Sequence, residues 1–258
     1  MASKELQAAL DAAAAAAAVI RPFYGQSVQT RTKADSSPVT EADIRAEEAI
    51  RSLLSTRFPD YGFYGEETGQ RAMQAESIWL VDPIDGTKSF MRATPFFSTQ
   101  IALMRAGRFV LGVSSAPLYG EIAWAEEGCG AFLNDRRIHV SGVRELQQAH
   151  VSCGNLKTMA GSAQWARLGE LVSRVDRVRG YGDFLHYHLL ARGGVDVVIE
   201  SDVHILDIAA LVVLVGEAGG VFTDLKGEPV GLATTSVLAS NGGLHARVRE
   251  SLGPAPAR

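Results

Sequence analysis

Residues 79–90 read WLVDPIDGTKSF, and no other stretch limits the possible folds of this chain as strongly. Trp79-Leu80-Val81 is short, apolar and β-prone, which predicts a buried strand. Pro83 keeps Asp82 out of helical backbone, so Asp82 and Asp85 both fall where the strand ends. Gly86 lets backbone approach a ligand closely, and the unpaired N–H groups of a helix opening at Gly86-Thr87 would face an anion. Hard oxygen donors for Mg²⁺ and a phosphate cradle then lie next to each other in the sequence. By itself the segment also fits an Asx-rich turn whose aspartates cap a helix, so the decision rests on other residues.

Two more acidic segments bear on it. Gly65-Glu66-Glu67 follows a strand predicted at Tyr61–Tyr64. Asp207 opens an apolar segment with helical spacing at Ile208, Leu211, Val212 and Val215, closed by Gly219-Gly220; alone it reads equally well as an N-cap. Taken in order, GEE, DPIDGT and DIAAL…EAGG resemble the inositol monophosphatase-like family of Mg²⁺-dependent, lithium-sensitive phosphatases. The resemblance runs from Lys33 to ASNGGLH at 239–245. It implies an α/β fold, the layered α/β/α/β/α sandwich of the inositol monophosphatase and fructose bisphosphatase type. Residues 1–141 would form an α+β half with an antiparallel sheet carrying most metal ligands, and residues 142–258 an α/β half completing the metal and substrate site.

Position by position, the resemblance implies metal ligation by Glu66, Asp82, Asp85, Asp207 and the Ile84 carbonyl. It implies phosphate contacts at Asp85, Gly86 and Thr87, and a catalytic set of Asp43, Thr87 and Glu66 that orients and activates the attacking water. Helical patterning alone makes Asp43 an ordinary exposed residue. Four carboxylates in one pocket stay ionised only with cations to balance them, and two to three Mg²⁺ are the implied cofactors, supplying an activated water for in-line attack at phosphorus. Cys129 and Cys153 are isolated and no Ser-His-Asp arrangement is apparent, so the sequence gives little support to a covalent intermediate.

For the alcohol side of the ester, the resemblance points to Glu200 and Asp183, with His186 as a further substrate contact. Two carboxylates can accept from a polyol or hold a cationic amine. The GYGDF stretch, DGTKSF, SSAPLYGE at 114–121 and LASNGGLH at 238–245 are most similar to the bacterial histidinol-phosphate phosphatase branch. The alternative is an inositol-1-monophosphatase or a broad sugar or nucleotide phosphatase of the same family. Leu206 stands where many relatives have Trp, which alters packing but removes no oxygen donor. Lys88 is shared with the branch acting on 3′-phosphoadenosine 5′-phosphate, so GYGDF discriminates better.

With 258 residues, 47% of them apolar, the chain can bury a substantial core. A net charge of −4 and the lack of a basic cluster interleaved with aromatics point away from nucleic acid. Two cysteines without metal-ligand spacing fit a reducing cytoplasm. The Ala-rich run from Ala8 to Ile20 reads as an amphipathic helix, too short and too weakly apolar for a membrane span and without signal-peptide flanks. The expected partner is a small phosphate ester, and relatives of this kind are commonly homodimers.

The predicted elements are helices at 3–21 and 40–57, antiparallel strands at 99–105, 109–115 and 121–125, a turn at Arg136-Arg137, and an edge segment Ile138–Ser141. A βαβα pattern then follows: strand 149–153, helix 161–174, strand 176–180, helix 183–193, strand 195–199, helix 207–218 and strand 220–223. This alternation argues for a largely parallel sheet, with GPAPAR at the end as a frayed tail.

Overall fold

A computed structural model of the chain describes residues 3–26, 30–32 and 38–253. Lys33 and residues 254–258, most of the expected tail, lie outside that range. Two compact units emerge, Met1–Glu127 with Leu206–Val213, and Gly128–Ile205 with Leu214–Arg258.

In the first unit, helix Lys4–Ile20 starts at Ser3, whose hydroxyl accepts from the Leu6 N–H at 2.9 Å. Leu6, Ala9, Ala13, Ala16 and Ile20 recur at helical spacing and are buried, packing on helix Glu41–Arg57 and on strands Ser98–Arg105 and Arg108–Ala116. With its 3₁₀ extension, the segment Lys4–Phe23 is long and apolar enough to cross a membrane by length and composition, contrary to the sequence expectation. Its buried alanine face belongs instead to the core of this unit.

The sheet of this unit runs in the order Gly69–Arg71, Gly62–Gly65, Ser77–Asp85, Ser98–Arg105, Arg108–Ala116, Glu121–Glu126. Gly62–Gly65 is parallel to Ser77–Asp85, and the other neighbours here are antiparallel, as the meander predicted. Every residue of Ser77–Asp85 is buried, which fits the apolar run 78–81 at its centre.

The second unit begins with a hairpin of Gly130–Leu133 and Arg136–Ile138. The turn is Asn134-Asp135 rather than Arg136-Arg137: Asn134 takes φ +53°, a left-handed conformation that asparagine tolerates and the arginines do not favour. The predicted edge segment 138–141 is thereby shifted to Arg136–Ile138. The following sheet has the order Arg177–Arg179, His150–Gly154, Val197–Ser201, Ser236–Ser240, Val221–Thr223. His150–Gly154 is parallel to both of its neighbours, as expected, but Ser236–Ser240 runs antiparallel between Val197–Ser201 and Val221–Thr223. The sheet is therefore mixed. The predicted helix 161–174 is also broken, into Lys157–Ala160 and Gln164–Val172, with the Ser162 hydroxyl accepting from the Gln164 N–H at 3.2 Å where the second piece begins.

Candidate active site

Asp82 and Asp85 sit on one strand three positions apart, a spacing that would turn their side chains to opposite faces of a regular strand. The pairing with Ser98–Arg105 steps from Asp82↔Gln100 to Asp85↔Ser98, with a register irregularity between the aspartates. This bulge places one extra residue on the aspartate strand, so both carboxylates emerge on the same face. The Ile84 N–H donates to Asp82 Oδ1 at 2.9 Å, and the Thr99 hydroxyl donates to the Pro83 carbonyl at 2.8 Å. Asp207 arrives on helix Ile205–Glu217. That helix packs against Gly112, where a Cβ would stand 2.2 Å from the Ala210 carbonyl oxygen, so only glycine permits the approach. Ala102 and Ala125 flank Gly112 in register on the adjoining strands. As a result Asp82, Asp85 and Asp207 each place a carboxylate oxygen within 4.8 Å of the other two.

Glu66 follows the strand parallel to Ser77–Asp85, and its N–H donates to the Val81 carbonyl at 3.1 Å. Its side chain hydrogen-bonds Asp82. The turn is held by Glu47, a fully buried carboxylate that accepts from the N–H groups of Glu67 at 2.7 Å and Thr68 at 2.8 Å. Burial, and then the charges of Glu66, Asp85 and Asp207, hold the Asp82 carboxyl well above the usual range. A dense group of hard oxygen donors with mutually repelling charges fits a divalent cation such as Mg²⁺.

Asp43 is fully buried, not on an exposed helix face. It closes a capping box with Thr40, accepting the Thr40 N–H at 2.8 Å and the Thr40 hydroxyl on Oδ2. Its other oxygen, Oδ1, lies 3.1 Å from the Thr87 hydroxyl, which is also 3.0 Å from the Ile84 carbonyl. That hydroxyl has one proton for two acceptors. Burial raises the Asp43 carboxyl, and the bonds from Thr40 and Thr87 oppose the rise. Gly86 has φ +92°, and a Cβ there would meet the Phe96 carbonyl at 2.6 Å, so this turn into helix Thr87–Met91 requires glycine.

The second acidic group lies in the second unit. Gly154 pairs with Glu200 across parallel strands, and Asp183 begins helix Asp183–Ala191 with φ +44°. Burial, and then the Glu200 charge, push the Asp183 carboxyl up to about 6. The same two causes push the Cys153 thiol up to about 11, so it stays protonated and unreactive at neutral pH. His186 is fully buried, with Nε2 3.2 Å from Glu200 Oε2 and Nδ1 3.3 Å from the Ser152 hydroxyl. The line Ser152–His186–Glu200 has the connectivity of a nucleophilic triad, an arrangement not evident in the sequence. Ser152 and His186 are both 0% exposed, and Ser152 Oγ also accepts the Tyr181 N–H at 3.2 Å, so the hydroxyl is occupied within the protein and has no open path to a substrate. Of the residues that sequence patterns missed, Glu47 had one usable signal, its position four after Asp43 on the same helix face. Ser152 and Tyr187 carried none.

Residues 1–255 match the inositol monophosphatase family. A histidinol-phosphatase of Streptomyces coelicolor is 40% identical over 241 residues, covering 90% of each chain. Another, of Mycobacterium tuberculosis, is 40% identical over 254 residues, 96% of this chain and 97% of that one. An inositol-1-monophosphatase of Caulobacter vibrioides is 34% identical over 252 residues, 94% of this chain and 98% of the relative. The crystal structure of extragenic suppressor protein SuhB from Bartonella henselae matches with a TM-score of 0.90 at 31% identity, over 98% of this chain and 100% of that one. With mixed sheets flanked by helices and the α/β sandwich fold of these proteins, the chain belongs to the inositol monophosphatase family and is a phosphoric monoester hydrolase.

Proposed function

We propose that this chain is a Mg²⁺-dependent phosphomonoesterase that converts L-histidinol phosphate and water to L-histidinol and phosphate, with Asp183 and Glu200 binding the substrate's ammonium group. The observation that carries this reading is the carboxylate pair itself: the charge of Glu200 helps lift Asp183 to about 6. An ammonium held by charge-assisted hydrogen bonds relieves that repulsion, whereas a neutral polyol leaves it in place. The histidinol-phosphatase relatives at 40% identity support the same substrate.

Glu66, Asp82, Asp85, Asp207 and the Ile84 carbonyl would hold two to three Mg²⁺, which when bound lower the pKa of water and balance charge on phosphoryl oxygens. The N–H groups of Gly86 and Thr87 donate to the phosphoryl group, beside Asp85. Thr87 Oγ accepts a proton of the attacking water while passing its own to Asp43 Oδ1. The new bond joins the water oxygen to phosphorus, the ester P–O bond breaks, and the leaving alkoxide takes a proton from solvent. The reading includes a homodimer in a reducing cytoplasm, supported by family resemblance and by two free cysteines; light scattering of the purified enzyme tests the dimer.

A second reading, inositol-1-monophosphatase, is favoured by the Caulobacter vibrioides relative. Phosphate release from histidinol phosphate and from inositol 1-phosphate, compared by kcat/KM, separates the two. A preference of about a hundredfold for histidinol phosphate, roughly 2.7 kcal/mol, is expected. Equal or reversed values would give the inositol or broad-specificity reading.

A further inference from the structure

Glu200 is held from one side only. Its Oε2 receives the Tyr187 hydroxyl at 2.8 Å and faces His186 Nε2 at 3.2 Å, and among the described residues no donor reaches Oε1. We propose that Ser152, His186 and Tyr187 are positioning residues that fix Glu200 through Oε2 and leave Oε1 as the Glu200 oxygen offered, alongside Asp183, to the substrate's ammonium group, a role that rests on the amine reading above.

The direction of the bond from His186 to Glu200 follows from the donor inventory. Ser152 Oγ accepts the Tyr181 N–H at 3.2 Å and lies 3.3 Å from His186 Nδ1. An ionised carboxylate only accepts, so His186 Nε2–H is the donor to Glu200 Oε2 at 3.2 Å. Tyr187 is immobilised by stacking on Phe222, with centroids 5.5 Å apart at 18°, and by an edge contact with His186 at 4.2 Å. Ser152, His186, Tyr187 and Glu200 are exposed by 0, 0, 1 and 3%, so the whole chain of contacts is packed inside the protein.

Gly154 completes the arrangement. A Cβ at that position would lie 2.6 Å from Glu200 Oε1 and 3.2 Å from His186 Cε1, so glycine is what lets the carboxylate and the ring lie this close to the strand. With two donors on Oε2, Oε1 is the oxygen left to accept from a ligand. A ligand that meets it has less ordering left to do on binding.

The test is a double-mutant cycle of Tyr187→Phe and Glu200→Gln, measured as KM and kcat for histidinol phosphate at saturating Mg²⁺. Tyr187→Phe alone is expected to raise KM about tenfold, with a smaller change in kcat. In the Glu200→Gln background the same substitution should move KM by less than about twofold, because Tyr187 acts through Glu200. Losses that multiply in the double variant, or a loss carried by kcat, would overturn the assignment. Ser152→Ala removes one hydroxyl and runs through the same cycle with the same criterion, which keeps the test decisive if Tyr187→Phe does not fold. A wild type indifferent between histidinol phosphate and inositol 1-phosphate would overturn the ammonium reading, and the cycle repeated on inositol 1-phosphate would then decide the positioning role separately.

Discussion

Asp82 and Glu200 are exposed by only 2% and 3%, yet their surroundings differ in kind. The charges around Asp82 are those of Glu66, Asp85 and Asp207, which together with burial drive its carboxyl upward. Glu200 has two protein donors on one oxygen and Asp183 as its carboxylate neighbour. A group of like charges with few donors answers to a multivalent cation. A carboxylate that the protein has already half satisfied answers to a single positive charge. Burial is thus common to both, and the charged neighbours separate the proposed metal site from the proposed amine site.

Asp82→Asn should separate them most sharply. Activity is expected to fall by about a thousandfold or more, roughly 4 kcal/mol on the barrier. The metal-free variant should nevertheless melt no lower than wild type, since a buried, repelled charge has been removed, and added Mg²⁺ should no longer raise Tm. Kinetics with calorimetry in chelator check both halves; a lower metal-free Tm with an intact Mg²⁺ response would break the comparison.

Gly112→Val probes how the third carboxylate reaches the metal group. The branched side chain would collide with the Ala210 backbone, with an expected loss of about 3 kcal/mol in urea unfolding. The Mg²⁺-dependent rise in Tm should fall with it, because Asp207 moves with its helix.

Asp183→Asn tests the amine group through pH. The folded value is about 6 against an ordinary 3.8, so between those values the folded chain binds more protons than the unfolded one. Stability therefore falls as pH rises from about 4 to about 6 and stays lower above that range. The variant should lack this slope and be more stable at neutral pH, by about 1–3 kcal/mol, while its KM for histidinol phosphate rises. Urea midpoints across the range, variant minus wild type, isolate the share of Asp183 from those of Asp43 and Asp82.

Thr40→Ala is the mildest change. Loss of the cap should lower stability by about 1 kcal/mol and reduce kcat less than tenfold, with Thr40→Ser restoring both. A full loss of activity would show that Thr40 does more than hold Asp43.

The convergence of Asp82 and Asp85 with Asp207 was partly legible because the first two lie in a short segment with strong local signals: an apolar strand, a Pro that blocks helix, a Gly at a turn. The bulge that turns Asp82 and Asp85 to one face was not, since it depends on how many residues the partner strand spends between Gln100 and Ser98. The partner of Asp43 Oδ1, Thr87, lies 44 positions away. In the second sheet the alternation of strand and helix predicted the parallel neighbours, but Ser236–Ser240 inserts between two of its strands from much later in the chain, an event no local period records. The donors on Glu200, His186 and Tyr187, both come from helix Asp183–Ala191, and Tyr187 reads in sequence as ordinary core.

The division of the carboxylates has an evolutionary consequence. The stretch from Gly128 to Ile205 belongs wholly to the second unit, and it carries Ser152, Gly154, Asp183, His186, Tyr187 and Glu200 but none of Glu66, Asp82, Asp85 or Asp207. On the roles proposed above, a lineage could drift, or recombine, in one continuous piece of gene and change which alcohol is released while inheriting the phosphate-cleaving residues intact.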